Sequence, residues 1–143
     1  CGGSFMVKDE YIKNKEFDKI KSLTENAVKL MLGFKIKHVG INSENAEQAM
    51  AIAKTFAPFG LELKDGNSSI FLNSDIEIMK TKFYGKLGHI AIETNFIKRA
   101  EAYLKSKGLK FIEESKKIDA KGNYKAVYID ADFGGFAVHL LQK

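Results

Sequence analysis

Three histidines and one glutamate carry the chemistry that this sequence offers. His38, His89 and His139 are its only imidazoles, and each falls in a segment that alternates like a β-strand. His38 and His89 hold the same place in two similar segments, His38-Val39-Gly40-Ile41 and His89-Ile90-Ala91-Ile92. His139 lies in the last such segment. Glu77 holds the corresponding place in the earlier run Ile76-Glu77-Ile78. The quartet thus forms two pairs of repeat-equivalent positions. Alternation puts His38 on a face with Gly40, His89 with Ala91 and His139 with Ala137, while Val39, Ile41, Ile90, Ile92, Val138 and Leu140 point the other way. Imidazoles with small neighbours leave room for a ligand beside them. Three neutral nitrogens and one carboxylate suit a borderline divalent ion: zinc, nickel, cobalt or iron. Magnesium and calcium prefer more oxygen. Taken singly, each histidine reads as a packed strand residue and Glu77 as a half-exposed one; only the joint placement argues for a site.

The elements that must position these residues follow a repeated order. Residues 34–143 read as β-α-β-β-β twice, in modules 36–80 and 87–143 joined by residues 80–86. In the first, a strand over 36–42 precedes a helix over 45–57, with Ala49, Met50, Ala53 and Phe56 inward and Asn45 and Gln48 forming a capping box. Short strands at 61–64, 69–72 and 75–79 follow, the first two joined at Asp65-Gly66-Asn67. In the second, a strand over 87–93 precedes a helix capped by Asn95, with Phe96, Ile97, Ala100, Tyr103 and Leu104 inward. Strands at 109–112, 124–130 and 136–141 complete it. One such module leaves a sheet face open, so the two must pair to close a core. The fold class is α+β, with two βαβββ modules in a cupped mixed sheet. Before it, residues 14–32 carry Phe17, Ile20, Leu23, Ala27, Val28 and Met31 at helical spacing, between an N-cap at Asn14 and a stop at Gly33.

Composition narrows the function. The 143 residues are 45% hydrophobic and 29% charged, enough for a folded domain. Net charge is +5, but 22 of the 23 basic residues are lysines scattered among acids, with Arg99 the sole arginine. This argues against a nucleic-acid partner. No apolar run reaches membrane-helix length, and the opening residues, without a charged or long apolar stretch, are not expected to act as a leader. A single cysteine excludes an internal disulfide, so a reducing, cytoplasmic setting is expected.

At these residues, His38-Val39-Gly40-Ile41, Ile76-Glu77-Ile78, Gly88-His89-Ile90-Ala91-Ile92 and Asp132-Phe133-Gly134-Gly135-Phe136-Ala137-Val138-His139-Leu140, the chain resembles the vicinal oxygen chelate superfamily. That superfamily includes glyoxalase I, methylmalonyl-CoA epimerase, extradiol dioxygenases and bleomycin-resistance proteins. The resemblance implies a glyoxalase-like fold and metal ligands at His38, Glu77, His89 and His139. It also implies a small oxygenated substrate, which a second resemblance, of residues 1–33 to an aldolase, narrows to one such as a 2-oxo acid, enolised with Glu77 as the proton-moving, catalytic group, and a homodimer. Family members usually carry a glutamate at the His139 position, so their proton transfer does not carry over whole. A non-catalytic ligand-binding, regulatory or oligomerisation module is the alternative.

Residues 1–33 resemble the C-terminal end of 2-keto-3-deoxy-6-phosphogluconate / 4-hydroxy-2-oxoglutarate aldolase, through Cys1-Gly2-Gly3-Ser4-Phe5-Met6-Val7 and the helix that follows. The resemblance implies the last strand and helix of a (β/α)₈ barrel, with Gly2, Gly3 and Ser4 binding phosphate only in the intact barrel. It makes the chain the C-terminal part of an aldolase, a lyase, that carries a glyoxalase-like domain. The Schiff-base lysine lies in the absent part, and the rest of the barrel would be a partner of this domain.

Overall fold

A computed structural model describes residues 3–143. After helices α1 (Asp9–Lys13) and α2 (Phe17–Leu32) come two modules. The first holds β1 (Lys35–Ile41), α3 (Ala46–Thr55), β2 (Leu63–Asp65), β3 (Ser69–Leu72) and β4 (Ile76–Met79). The second holds β5 (Gly88–Thr94), α4 (Ile97–Ser106), β6 (Phe111–Ile118), β7 (Tyr124–Ile129) and β8 (Phe136–Gln142). All eight strands form one mixed sheet in the order β2-β3-β4-β1-β5-β8-β7-β6. Each opening strand lies parallel to its module's closing strand, β1 to β4 and β5 to β8. The two opening strands meet antiparallel at the seam. The modules therefore pair within one chain, related by an approximate two-fold axis.

Alternation separates the two faces. Leu72, Ile76, Val39, Ile90 and Val138 form one cross-strand row. This apolar face takes both module helices. Ala49 and Ala53 of α3 pack on Ile70, Leu72 and Ile78. Ile97 and Ala100 of α4 pack on Val127, Val138 and Leu140. Burying the valine, leucine and isoleucine side chains among them supplies about 1.5–3 kcal/mol each.

Several local expectations are corrected. Asn14 caps no α2 N-terminus, because residues 9–13 form a helical turn of their own and Asn14 ends it. Lys15 then takes a positive φ of 56°, and α2 starts at Phe17, which is exposed. Gly33 does end α2, in the left-handed region that favours glycine (φ 62°). Asn45 Oδ1 accepts the Gln48 N–H at 2.9 Å, but the Gln48 carboxamide turns back to the Glu44 N–H. Asn95 caps nothing: its Nδ2 donates to the Met31 carbonyl, and Gln142 Oε1 caps α4 by accepting the Ile97 N–H at 2.9 Å. Phe96 is consequently outside the helix and exposed. β6 runs six residues beyond the expected end at 112, through a charged stretch with no apolar alternation. Pairing with β7 holds it, and Ser115 Oγ accepts the Tyr128 N–H at 2.8 Å.

The N-terminal region joins the second module. Leu32 is fully buried in the α4 core, and its carbonyl accepts from Thr94 Oγ1 at 2.7 Å and the Asn95 N–H at 2.9 Å. The sequence boundary at 33/34 therefore does not separate two cores. Residues 4–7, read from sequence as part of a barrel strand, run as turn and bend. No helix among the described residues is long and apolar enough to cross a membrane.

Candidate metal centre

The face opposite the helices is where the polar quartet meets. Strand register builds it in two rows. One reads Lys64, Phe71, Glu77, Gly40, His89, Ala137 across β2, β3, β4, β1, β5 and β8. The next reads His38, Ala91, His139, Tyr128 across β1, β5, β8 and β7. Glu77 stands opposite Gly40, two residues after His38. His139 stands opposite Ala91, two residues after His89. The repeat equivalence read from sequence is thus a spatial symmetry about the seam.

The four side chains converge in the protein interior. His38, His89 and His139 are 9%, 2% and 7% exposed, and each offers a nitrogen within 4.8 Å of those of the others. His38 Nε2 lies 3.1 Å from His89 Nε2 and 3.2 Å from Glu77 Oε2, and His89 Nε2 lies 3.1 Å from that same oxygen. Ser69 Oγ donates to the other Glu77 oxygen, Oε1, at 2.7 Å. The His139 ring stacks on Tyr128, centroids 4.8 Å apart. Both of its nitrogens are buried without a hydrogen-bond partner, as is His89 Nδ1.

With Glu77 ionised, protons satisfy this triangle only by leaving the nitrogen pair in conflict. A carboxylate oxygen only accepts, and each neutral imidazole donates from one nitrogen. Satisfying both contacts to Oε2 needs an Nε2–H on each ring, and those two N–H groups then confront each other across 3.1 Å. The other tautomer of either ring aims a lone pair at Oε2. A single cation answers all three atoms. Neighbouring donors on an ion held by bonds of about 2.0–2.1 Å stand about 3.0–3.4 Å apart, which is the spacing present. The orphaned His139 nitrogens supply a fourth donor at the same place. The residues fit a borderline divalent ion.

Electrostatics agree with that donor set. Burial alone would raise the Glu77 pKa. Hydrogen bonds from His38, His89 and Ser69, made at the expense of the nitrogen pair, outweigh it and hold the carboxyl well below its ordinary range, so it is an anion. Burial, then the nearby His89 and His38, pushes His139 down to about 3, so its ring is neutral with a free lone pair.

The expected space beside the histidines is partly filled. A β-carbon on Gly40 would overlap the His89 ring, so the glycine is the bed on which that ring lies. Sequence reading missed Ser69, Phe71 and Tyr128 as neighbours of the quartet. Only the pairing of β3 with β4 and of β7 with β8 brings them there, and register is not written in any one strand. Three nearby acids serve elsewhere: Asp132 closes its own turn by accepting the Gly135 N–H at 2.7 Å. Asp75 contributes its backbone carbonyl to Val39, and Glu93 stands opposite Lys35. At the other end of the chain, Gly2 lies outside the described residues. The Gly3 carbonyl accepts the Met6 N–H at 2.8 Å, and Ser4 is exposed.

Neither a protein-family model nor a curated protein matches the chain. Solved structures do. Methylmalonyl-CoA epimerase from Mycobacterium tuberculosis superposes with a TM-score of 0.55 at 16% identity, covering 78% of this chain and 89% of that one. A hypothetical protein, BH1468, from Bacillus halodurans C-125 gives 0.54 at 16%, covering 77% and 94%. A methylmalonyl-CoA epimerase in complex with methylmalonyl-CoA and NH4+ gives 0.52 at 14%, covering 76% and 94%. At such identity the likeness speaks for the backbone: this chain has the glyoxalase-like α+β fold that methylmalonyl-CoA epimerase also has.

Proposed function

We propose that this is a divalent-metal-binding glyoxalase-like domain that chelates a small oxygenated substrate such as a 2-oxo acid. The observation that carries the reading is the triangle of His38, His89 and Glu77 donors, in which two rings donating to an ionised Glu77 would set their N–H groups against each other. His38, Glu77, His89 and His139 would hold the ion, which is zinc, nickel, cobalt or iron. When bound, such an ion supplies Lewis acidity to two adjacent substrate oxygens.

The chain's own residues do the rest. Burial of the three rings keeps bulk water from the centre. Ser69 fixes the orientation of Glu77 by its bond to Oε1. Glu77 is the only carboxylate of the quartet and the group that would take a proton in an enolisation. A second reading, binding without turnover, is favoured by one observation. Both Glu77 oxygens are engaged, Oε1 by Ser69 and Oε2 by two histidines, so the carboxylate has little freedom to move a proton. Proton exchange separates the two. For the enolising domain, zinc-loaded protein should exchange the methyl protons of pyruvate with deuterated water, and Glu77→Gln should lower that rate about 100-fold or more. Proton NMR checks it. Pyruvate binding with no exchange above the free-zinc background would leave the binding module.

The N-terminal region is read as the remnant of an aldolase barrel, the parent chain being a lyase with this domain attached. The exposed apolar side chains of Phe5, Val7, Ile12, Phe17 and Leu30 support that reading, since a barrel neighbour would cover them. A homodimer belongs to the same proposal.

A further inference from the structure

β1 does not run evenly past β5. Lys35 and Ile36 face Glu93 and Ile92, but His38 faces Ala91, so Lys37 is an extra residue in a β-bulge. A bulge sets two residues against one and re-aims their side chains. Strict alternation would send Lys37 to the helix-packed face. Instead Lys37 and His38 border the same cavity, of about 490 Å³, together with Lys64, Asn67, Ser69 and Phe71. Lys64 reaches that face by register, opposite Phe71, which in turn stands opposite Glu77. The cavity has no carboxylate in its lining. Asp65, next to Lys64, is held by Lys80 at 2.7 Å. The cavity shares its His38 and Ser69 walls with the candidate metal centre.

Resting on the metal-binding reading, we propose that Lys37 and Lys64 form an anion subsite, which takes the charged tail of a substrate whose adjacent oxygens lie at the quartet. The substrate class is therefore a dianion: a 2-oxo or 2-hydroxy acid, or an equivalent oxygenated head, with a second carboxylate or a phosphate at its far end. Two lysines bordering a cavity whose other polar lining is His38 with amides and hydroxyls, beside Phe71 and Leu141, favour an anionic group at that end. A cationic tail finds no charge partner there.

Isothermal titration of the full chain tests the subsite. Zinc is titrated first, alone. Pyruvate, 2-oxoglutarate and phosphoglycolate are then titrated into zinc-loaded protein. At least one of the two dianions should bind about tenfold or more tighter than pyruvate, the gain of one or two charge-assisted hydrogen bonds. The carboxylate or phosphate arm that shows the gain names the tail. The double variant Lys37→Gln, Lys64→Gln should lose this preference while its zinc and pyruvate affinities stay within about twofold. Equal affinity for all three probes, or a preference that survives in the double variant, overturns the subsite. If zinc does not bind, the metal reading fails separately. The metal-free chain is then titrated with glutarate and inorganic phosphate by amide NMR. Lysine-dependent shifts at Asn67 and Ser68 still support the subsite, and their absence removes it.

Discussion

Replacing His89 with alanine should lower zinc affinity by about a thousandfold or more, beyond the roughly 10–100-fold that loss of an outer-shell partner costs. His89 Nε2 is the corner shared by two of the three short contacts, to His38 and to Glu77, and at 2% exposure no water takes its place readily. The same change should alter the stability of the metal-free protein little, by about 1 kcal/mol or less. Removing the ring opens a cavity but also removes an unpartnered buried Nδ1 and a crowded nitrogen pair, and these terms oppose each other. Zinc titration against a competing chelator, with chemical denaturation of the metal-free chain, reads both. Unchanged affinity would take His89 out of the site.

Gly40→Ala should act on the same ring from beneath. Gly40 does not have a positive φ, so alanine meets no backbone strain there. Its β-carbon would overlap the His89 ring, which lies on the glycine, and β1 sits mid-sheet where the backbone cannot yield far. Overpacking of this kind costs about 1–3 kcal/mol, and displacement of a ligand ring should lower zinc affinity about 100-fold. The effect must run through His89. In a His89→Ala background the added methyl group has room, and the stability cost of Gly40→Ala should fall below about 0.5 kcal/mol. A cost that persists in the double variant would place the clash in the backbone instead.

Much of this centre was legible in the sequence because the chain repeats. The shared pattern at His38 and His89, and the matching places of Glu77 and His139, located the quartet without any contact being known. Two βαβββ modules followed from alternation and turn residues, and the elements follow one another along the chain in that order. What stayed hidden depended on register. Ser69 looks like any strand serine until β3 is set beside β4. Strict alternation assigns Lys37 to the helix side until the bulge in β1 is taken into account. The caps failed for a related reason: Asn14 and Asn95 both have the right chemistry, but α1 claims the first and Met31 the second. Local propensity proposes a cap, and tertiary contacts decide whether the side chain is free to serve.

The most direct measurement is a zinc-soaked crystal structure with anomalous diffraction at the zinc edge. One peak per chain is predicted, with His38 Nε2, His89 Nε2, Glu77 Oε2 and a His139 nitrogen each at about 2.0–2.2 Å from it. No peak among these four side chains, with the 3.1 Å nitrogen pair of His38 and His89 left in contact at saturating zinc, would contradict the account.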